Sequence, residues 1–213
     1  METLRHFFQL VLSSNLNDLI RWGGYTALAV IVFAETGLLV GFFLPGDSLL
    51  VTAGILAGAG ELNLLWLNLL LCAMAIAGDA TGYYIGLKSG PRLFKRDDSL
   101  LFRKAHLLRT KAFYEKHGGK TIIIARFMPL VRTFAPVVAG VGQMPYARFA
   151  SFNVVGGIGW VVSMTCTGYF IVKAIPNAEK YIHYIVFGVI FLSILPGIIA
   201  YARQRFAAKP SEQ

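Results

Sequence analysis

This chain is short of charge. Only 15% of its 213 residues are charged, while 56% are hydrophobic and the mean hydropathy is +0.61. A soluble domain of this length needs more polar surface than that, whereas lipid accepts an apolar exterior. Acidic residues are scarcer still, 11 against 20 Lys and Arg. Only two cysteines are present, Cys72 and Cys166, both inside apolar segments. There they behave as small hydrophobes and imply no disulfide framework. Met1 to Asp18 lacks the basic, then apolar, then small-residue order of a cleaved signal peptide. Nothing in the pattern calls for a metal or a cofactor, and neither is expected.

What is present is a set of long apolar runs, and the most informative is Thr121 to Val141. It carries Arg126 and Arg132 and no other charge. An arginine at the bilayer centre costs roughly 2.5–3.5 kcal/mol on insertion scales, so such residues are candidates for function. Pro129 and Pro136 argue against one uninterrupted spanning helix. A broken backbone at membrane depth is tolerated where it is buried in protein or lines a wet cavity. The expectation is a cationic pocket built on a broken helix.

Taken in order, residues 1–24 place Leu4, Phe7, Phe8, Val11 and Leu12 at helical spacing, which suits an interfacial helix. Gly23-Gly24 breaks it. Residues 25–60 read as a first re-entrant hairpin. A long apolar arm carries Glu35, Pro45-Gly46-Asp47-Ser48 supplies a turn, and Leu49–Ala59 is too short to span. Residues 62–87 form a transmembrane helix with one charge, Asp79. Gly78, Gly82 and Gly86 share one of its faces, a spacing that allows close helix approach. Asp79 is a candidate proton or substrate group, and equally a polar residue snorkelling toward a helix end or bonded to a neighbouring helix.

Residues 88–120 hold ten Lys and Arg against three Asp and Glu. Flanked by apolar spans, this basic amphipathic segment is expected in the cytoplasm, against the anionic inner leaflet. Nucleic acid is not the expected partner. Residues 121–145 form the second hairpin. Transmembrane helices follow at 149–175 and 181–201. Gly156, Gly157, Gly159 and Gly168 offer close packing in the first of them. The tail at 202–213 carries Arg203, Arg205 and Lys209 and belongs in the cytoplasm.

A shift of 86 residues aligns Val51-Thr52-Ala53-Gly54 with Val137-Val138-Ala139-Gly140. The same shift aligns Thr81-Gly82-Tyr83-Tyr84-Ile85 with Thr167-Gly168-Tyr169-Phe170-Ile171. Each half is then a broken segment followed by a spanning helix. The halves run in opposite senses, as in many secondary transporters. Chance similarity between glycine-rich helices is the competing explanation. If the repeat holds, Glu35 and Asp47 of one hairpin face Arg126 and Arg132 of the other. The expected fold class is an all-α integral membrane protein: an inverted repeat of re-entrant hairpin plus transmembrane helix, with an extra C-terminal transmembrane helix and amphipathic interfacial helices.

Several elements together resemble the DedA family, which belongs with the VTT-domain or SNARE-associated membrane proteins. They are Glu35, Pro45-Gly46-Asp47, Gly78-Asp79-x-x-Gly82-Tyr83-x-x-Gly86, and Arg126-Phe127-x-Pro129-x-x-Arg132 followed by Gly140. The resemblance covers roughly residues 20–200. Asp47 is a departure, since many members have glutamate there; the charge is kept and the reach shortened. The resemblance implies opposed re-entrant hairpins and transport of lipid phosphates across the bacterial inner membrane. Undecaprenyl phosphate is the leading cargo, with phospholipids handled by some relatives. It places the family's acidic pair on Glu35 and Asp47 and its arginine pair on Arg126 and Arg132.

Three functions follow from the residues. The first is a flippase for lipid phosphate, in which the arginine fork takes phosphate oxygens. Glu35, Asp47 and Asp79 are its candidate proton-coupling groups. The second is a proton or cation antiporter using the same three carboxylates. The third is a polyprenyl-pyrophosphate phosphatase. Pro45-Gly46-Asp47-Ser48 is faintly similar to that enzyme family's Pro-Gly-x-Ser-Arg-Ser element, but Leu49-Leu50 replaces the Arg-Ser. Neither hairpin contains histidine. The flippase, not an enzyme, is therefore the expectation.

Overall fold

The computed structural model describes residues 16–38, 46–93, 122–123 and 126–174. Among them are five α-helices and no strand. The expected interfacial stretch before residue 16 and the turn at Pro45 lie outside the described residues. So do most of the basic segment, the helix at 181–201 and the tail.

Helix α1 runs Leu16–Gly37. Leu16, Leu19, Ile20, Ala27, Leu28, Ile31 and Val32 are buried along it at three- and four-residue spacing. This is the period of a helix with one apolar face. Gly24 interrupts it with φ 53° and ψ −143°, a backbone only glycine takes readily. The break falls where Gly23-Gly24 predicts it. Residues 16–23 are thus a helical piece that meets the rest of α1 across a kink at Gly24.

Helix α2, Gly46–Gly58, is buried at every residue. Its 13 residues reach about 20 Å at about 1.5 Å each, short of a hydrocarbon core of about 30 Å. The chain then turns through Gly60, φ 90°. Arg21 near the start of α1 grips Glu61 with two bonds of 2.5 and 3.0 Å. These bonds hold the Glu61 carboxyl below its ordinary range. The Tyr25 hydroxyl accepts from the Asn63 amide at 2.8 Å. The path from Arg21 to Glu61 thus leaves along α1 and returns along α2 to the same end.

Helix α3 is Leu64–Leu93. The Asn63 side chain accepts from the amides of Leu65 and Trp66 at 3.0 and 3.1 Å, satisfying two of the helix's otherwise unpaired donors. The helix continues past the expected end at Leu87, so the first basic positions belong to it. Helix α4, Pro129–Val141, opens on a proline, which costs nothing in the first turn. Pro136 sits inside α4 without ending it. The expected break is at Pro129 alone, because Pro136 forfeits one helical bond and fits against Gly82. A turn through Gln143, φ 55°, leads to α5, Tyr146–Ala174. The Tyr83 hydroxyl donates to the Met144 carbonyl at 2.5 Å, and its ring stacks on Phe149 at 4.6 Å.

Packing crosses between the halves. A methyl group added at Gly54 of α2 would strike the Thr165 carbonyl of α5, and one at Gly168 would strike the Val51 carbonyl. Likewise, a methyl at Gly140 of α4 meets the Tyr83 carbonyl of α3, and one at Gly86 meets the Val137 carbonyl. So α2 lies along α5, and α4 along α3. The Gly78–Gly82–Gly86 face works as its spacing predicts: Gly78 meets α1 at Gly37 and Thr36, and Gly86 meets α4. Gly159 differs from expectation; no described atom lies within 4 Å of where its side chain would be. Helices α3 and α5 run antiparallel, since Ile76 faces Asn153 and Asn68 faces Thr165.

Residues 64–90 of α3 and all of α5 are long and apolar enough to cross a bilayer. Only 28% and 33% of their apolar windows are buried, where a soluble protein's core helix would be mostly covered. Trp66, Leu69, Val155 and Phe170 point outward.

Candidate functional site

Four helices deliver charged or polar side chains to one buried cluster. Arg132, on the first full turn of α4, donates to Glu35 of α1 through Nη2 and to Asp47 of α2 through Nη1. Trp160 of α5 donates its indole N–H to the same Asp47 oxygen, Oδ1, at 2.8 Å. The Arg132 guanidinium also lies 4.6 Å from the centre of the Trp160 ring. A cation over tryptophan contributes about 0.5–2 kcal/mol, the upper end when desolvated. Glu35 is 2% exposed, Arg132 7% and Asp47 8%.

Local sequence makes this possible. Glu35 sits two residues before α1 ends and Asp47 in the first turn of α2, so the end of one helix and the start of the next bring the two carboxylates together. Gly46 leaves room for this: a side chain there would occupy the present space of the Glu35 carboxylate. One fork of Arg132 then ties α1 and α2 to α4. Glu35 Oε2 and Arg132 Nε are buried and find no hydrogen-bond partner among the described residues.

Arg126 belongs to a second cluster. It lies in the turn before α4 and is 3% exposed. Its Nη2 donates to Asp79 of α3 and to Asn153 Oδ1 of α5. The Asn153 amide group donates in turn to the Ile76 carbonyl at 3.1 Å. Gly156 and Gly157 give the arginine its bed; a methyl at Gly156 would stand 3.0 Å from Arg126 Cδ.

The sequence-based expectation set Glu35 and Asp47 against both arginines. In the structure both carboxylates bind Arg132, and the partner of Arg126 is Asp79. Asp79 is bonded to a neighbouring element, one of the roles expected of it, and a proton role is compatible with that bond. Trp160 and Asn153 carry neither charge nor motif and were not singled out. Asn153 did leave a signal, a lone amide in an apolar span, where polar side chains commonly bond across helices. Among the described residues no group of three or more His, Cys, Asp and Glu is arranged to hold a metal ion.

Two long lipid-compatible helices, two shorter helices packed against them and a buried set of opposed charges define a helical membrane protein with a polar interior. The chain belongs to the DedA family of VTT-domain proteins: the VTT domain matches residues 44–170. Protein DedA of Escherichia coli is 49% identical over 186 residues, covering 86% of this chain and 84% of the relative. An uncharacterized membrane protein of Mycobacterium leprae is 44% identical over 174 residues, 82% of this chain and 78% of its own. Inner membrane protein YqjA of Escherichia coli is 39% identical over 158 residues, 74% and 71% of the two chains. No solved structure matches the chain.

Proposed function

We propose that this protein is a carrier for lipid phosphates in the bacterial inner membrane, undecaprenyl phosphate or a phospholipid, and not an enzyme. The observation that carries the proposal is the bond of Arg132 to both arms of the first hairpin. A guanidinium fork suits phosphate oxygens as well as carboxylates. Anionic cargo that takes the fork releases Glu35 and Asp47, and with them the contact between hairpins. Engaging Arg132 and opening the interior are then linked.

The 13-residue lengths of α2 and α4 support re-entrant hairpins. The opposed directions of α3 and α5 support an inverted repeat, with cargo handled where the hairpins meet. The C-terminus is placed in the cytoplasm by its basic residues. Inner-membrane residence accords with the name of the YqjA relative.

Purified protein in liposomes tests the proposal. Wild type should move a labelled lipid phosphate between leaflets without releasing phosphate. Arg126→Lys and Arg132→Lys should each cut that rate about tenfold or more while still inserting, because lysine keeps the charge and loses the fork. Wild-type rates in both lysine variants would refute the fork.

An antiporter is the second function to weigh, because one cation here faces two carboxylates. Glu35→Gln and Asp47→Asn remove the ionisable protons and keep the shapes. On the carrier model both retain lipid-phosphate binding and lose the response to an imposed proton gradient. An unchanged response in both makes these carboxylates structural partners only. Ion flux without lipid movement would establish the antiporter.

A further inference from the structure

The two arginines differ in what a phosphate would meet on reaching them. At Arg132 it meets two carboxylates, and the guanidinium is also stacked on Trp160. At Arg126 it meets one carboxylate, Asp79, and one neutral amide, Asn153. The first cluster holds two acids to one base, so an anion must displace both carboxylates before Arg132 is free. The second is balanced, and displacing Asp79 alone leaves its arginine free.

Geometry adds two points. Arg126 Nε is fully buried and has no acceptor among the described residues, so the fork has an unused edge. The absence of side chains at Gly156 and Gly157 leaves space beside that edge, since a methyl at Gly156 would stand 3.2 Å from Nε. Asn153 beside it can act in either sense. Its oxygen now accepts from Arg126, and its amide N–H group donates to a main-chain carbonyl that already lies within a helix. Turned over, the same side chain offers N–H to a phosphate oxygen.

We infer that Arg126, Asn153 and Asp79 form the head-group subsite for the phosphate. Arg126 and Asn153 are its receptors, and Asp79 is the internal anion that holds the place when cargo is absent. Arg132 is the latch between hairpins and not the first point of capture. This assignment rests on the lipid-phosphate reading and gives the two arginines separate tasks within it.

Two isosteric variants with opposite expected signs test it. Asp79→Asn removes the competing carboxylate and should tighten anion binding about tenfold or more. Asn153→Asp adds a second carboxylate to Arg126 and should weaken binding about a hundredfold. Binding is read on the full-length protein in detergent, with farnesyl phosphate, neutral farnesol and inorganic phosphate as probes. A residue that served packing alone would not tighten binding when replaced. If Asn153→Asp fails to fold, Asp79→Asn decides, with tighter binding supporting the subsite. Weaker or unchanged binding in Asp79→Asn overturns it.

The probes separate this inference from the carrier reading. Farnesyl phosphate binding that neither variant alters would overturn the subsite and leave the carrier standing. Inorganic phosphate binding with the expected pattern, without farnesyl phosphate binding, would support the subsite and remove the lipid. Failure of wild type to bind either anion would overturn both.

Discussion

Arg132→Met should strip the protein of stable folding, at a cost of about 3–5 kcal/mol. The arginine bonds both Glu35 and Asp47, and all three groups are buried. Without it two carboxylates remain at the hairpin tip with no cation between them. Breaking a buried ion pair by removing one partner is worse than removing all members, because the survivors stay desolvated and uncompensated. The combination Arg132→Met, Glu35→Gln, Asp47→Asn should therefore recover most of the lost stability while transport stays absent. Thermal unfolding in detergent and the liposome assay give the two readouts. Arg132→Met melting like wild type would show that the cluster contributes nothing to folding. A triple variant no more stable than the single would point to the Trp160 stacking, and not charge balance, as what Arg132 supplies.

That ordering separates two links usually merged. Burying charge does not by itself stabilise a membrane protein. Here it ties the end of α1 and the start of α2 to α4 through one guanidinium fork. The cluster is also what a phosphate carrier would have to open. Transport lost with folding regained would place the same three side chains on both the structural and the functional link.

Much of this was legible in the sequence because charge in an apolar run is costly and therefore conspicuous. Arg126, Arg132, Glu35, Asp47 and Asp79 stood out on that ground alone, and all five are buried and bonded. Gly23-Gly24 announced the break in α1, and the Gly78–Gly82–Gly86 spacing announced a packed face. The pairing was not legible. Two acids and two bases can be matched in several ways, and the fifth charge, Asp79, takes Arg126 for a reason only three dimensions supply: α3 and α5 cross at Ile76 and Asn153. Trp160 was hidden because tryptophan in a spanning segment is as often lipid-facing as buried. Pro136 misled for a related reason, since the rule that proline ends helices assumes the lost bond is not offset by packing.

The glycine contacts carry the last and most discriminating expectation. Gly54 and Gly140 are 86 residues apart and each presses on a carbonyl of the opposite half's long helix, Thr165 and Tyr83. Gly54→Ala and Gly140→Ala should each cost at least about 1–3 kcal/mol, because a methyl there can enter only by separating two backbones. Gly159→Ala meets no described atom and should gain up to about 1 kcal/mol from helix propensity. The long-helix glycines are where sequence and structure part. The 86-residue shift equates Gly168 with Gly82, so the repeat alone expects equal damage at both. In the structure a methyl at Gly168 collides with the Val51 carbonyl, while one at Gly82 finds its nearest neighbour at 3.5 Å, an ordinary contact. The collision with Val137, the equivalent of Val51, falls one helical turn later, at Gly86. Gly168→Ala and Gly86→Ala should therefore be severe and Gly82→Ala mild, measured by thermal unfolding of the detergent-solubilised protein. If Gly82→Ala proves as damaging as Gly168→Ala, and Gly86→Ala is tolerated, the two halves pack in the same register and the one-turn offset between them is wrong.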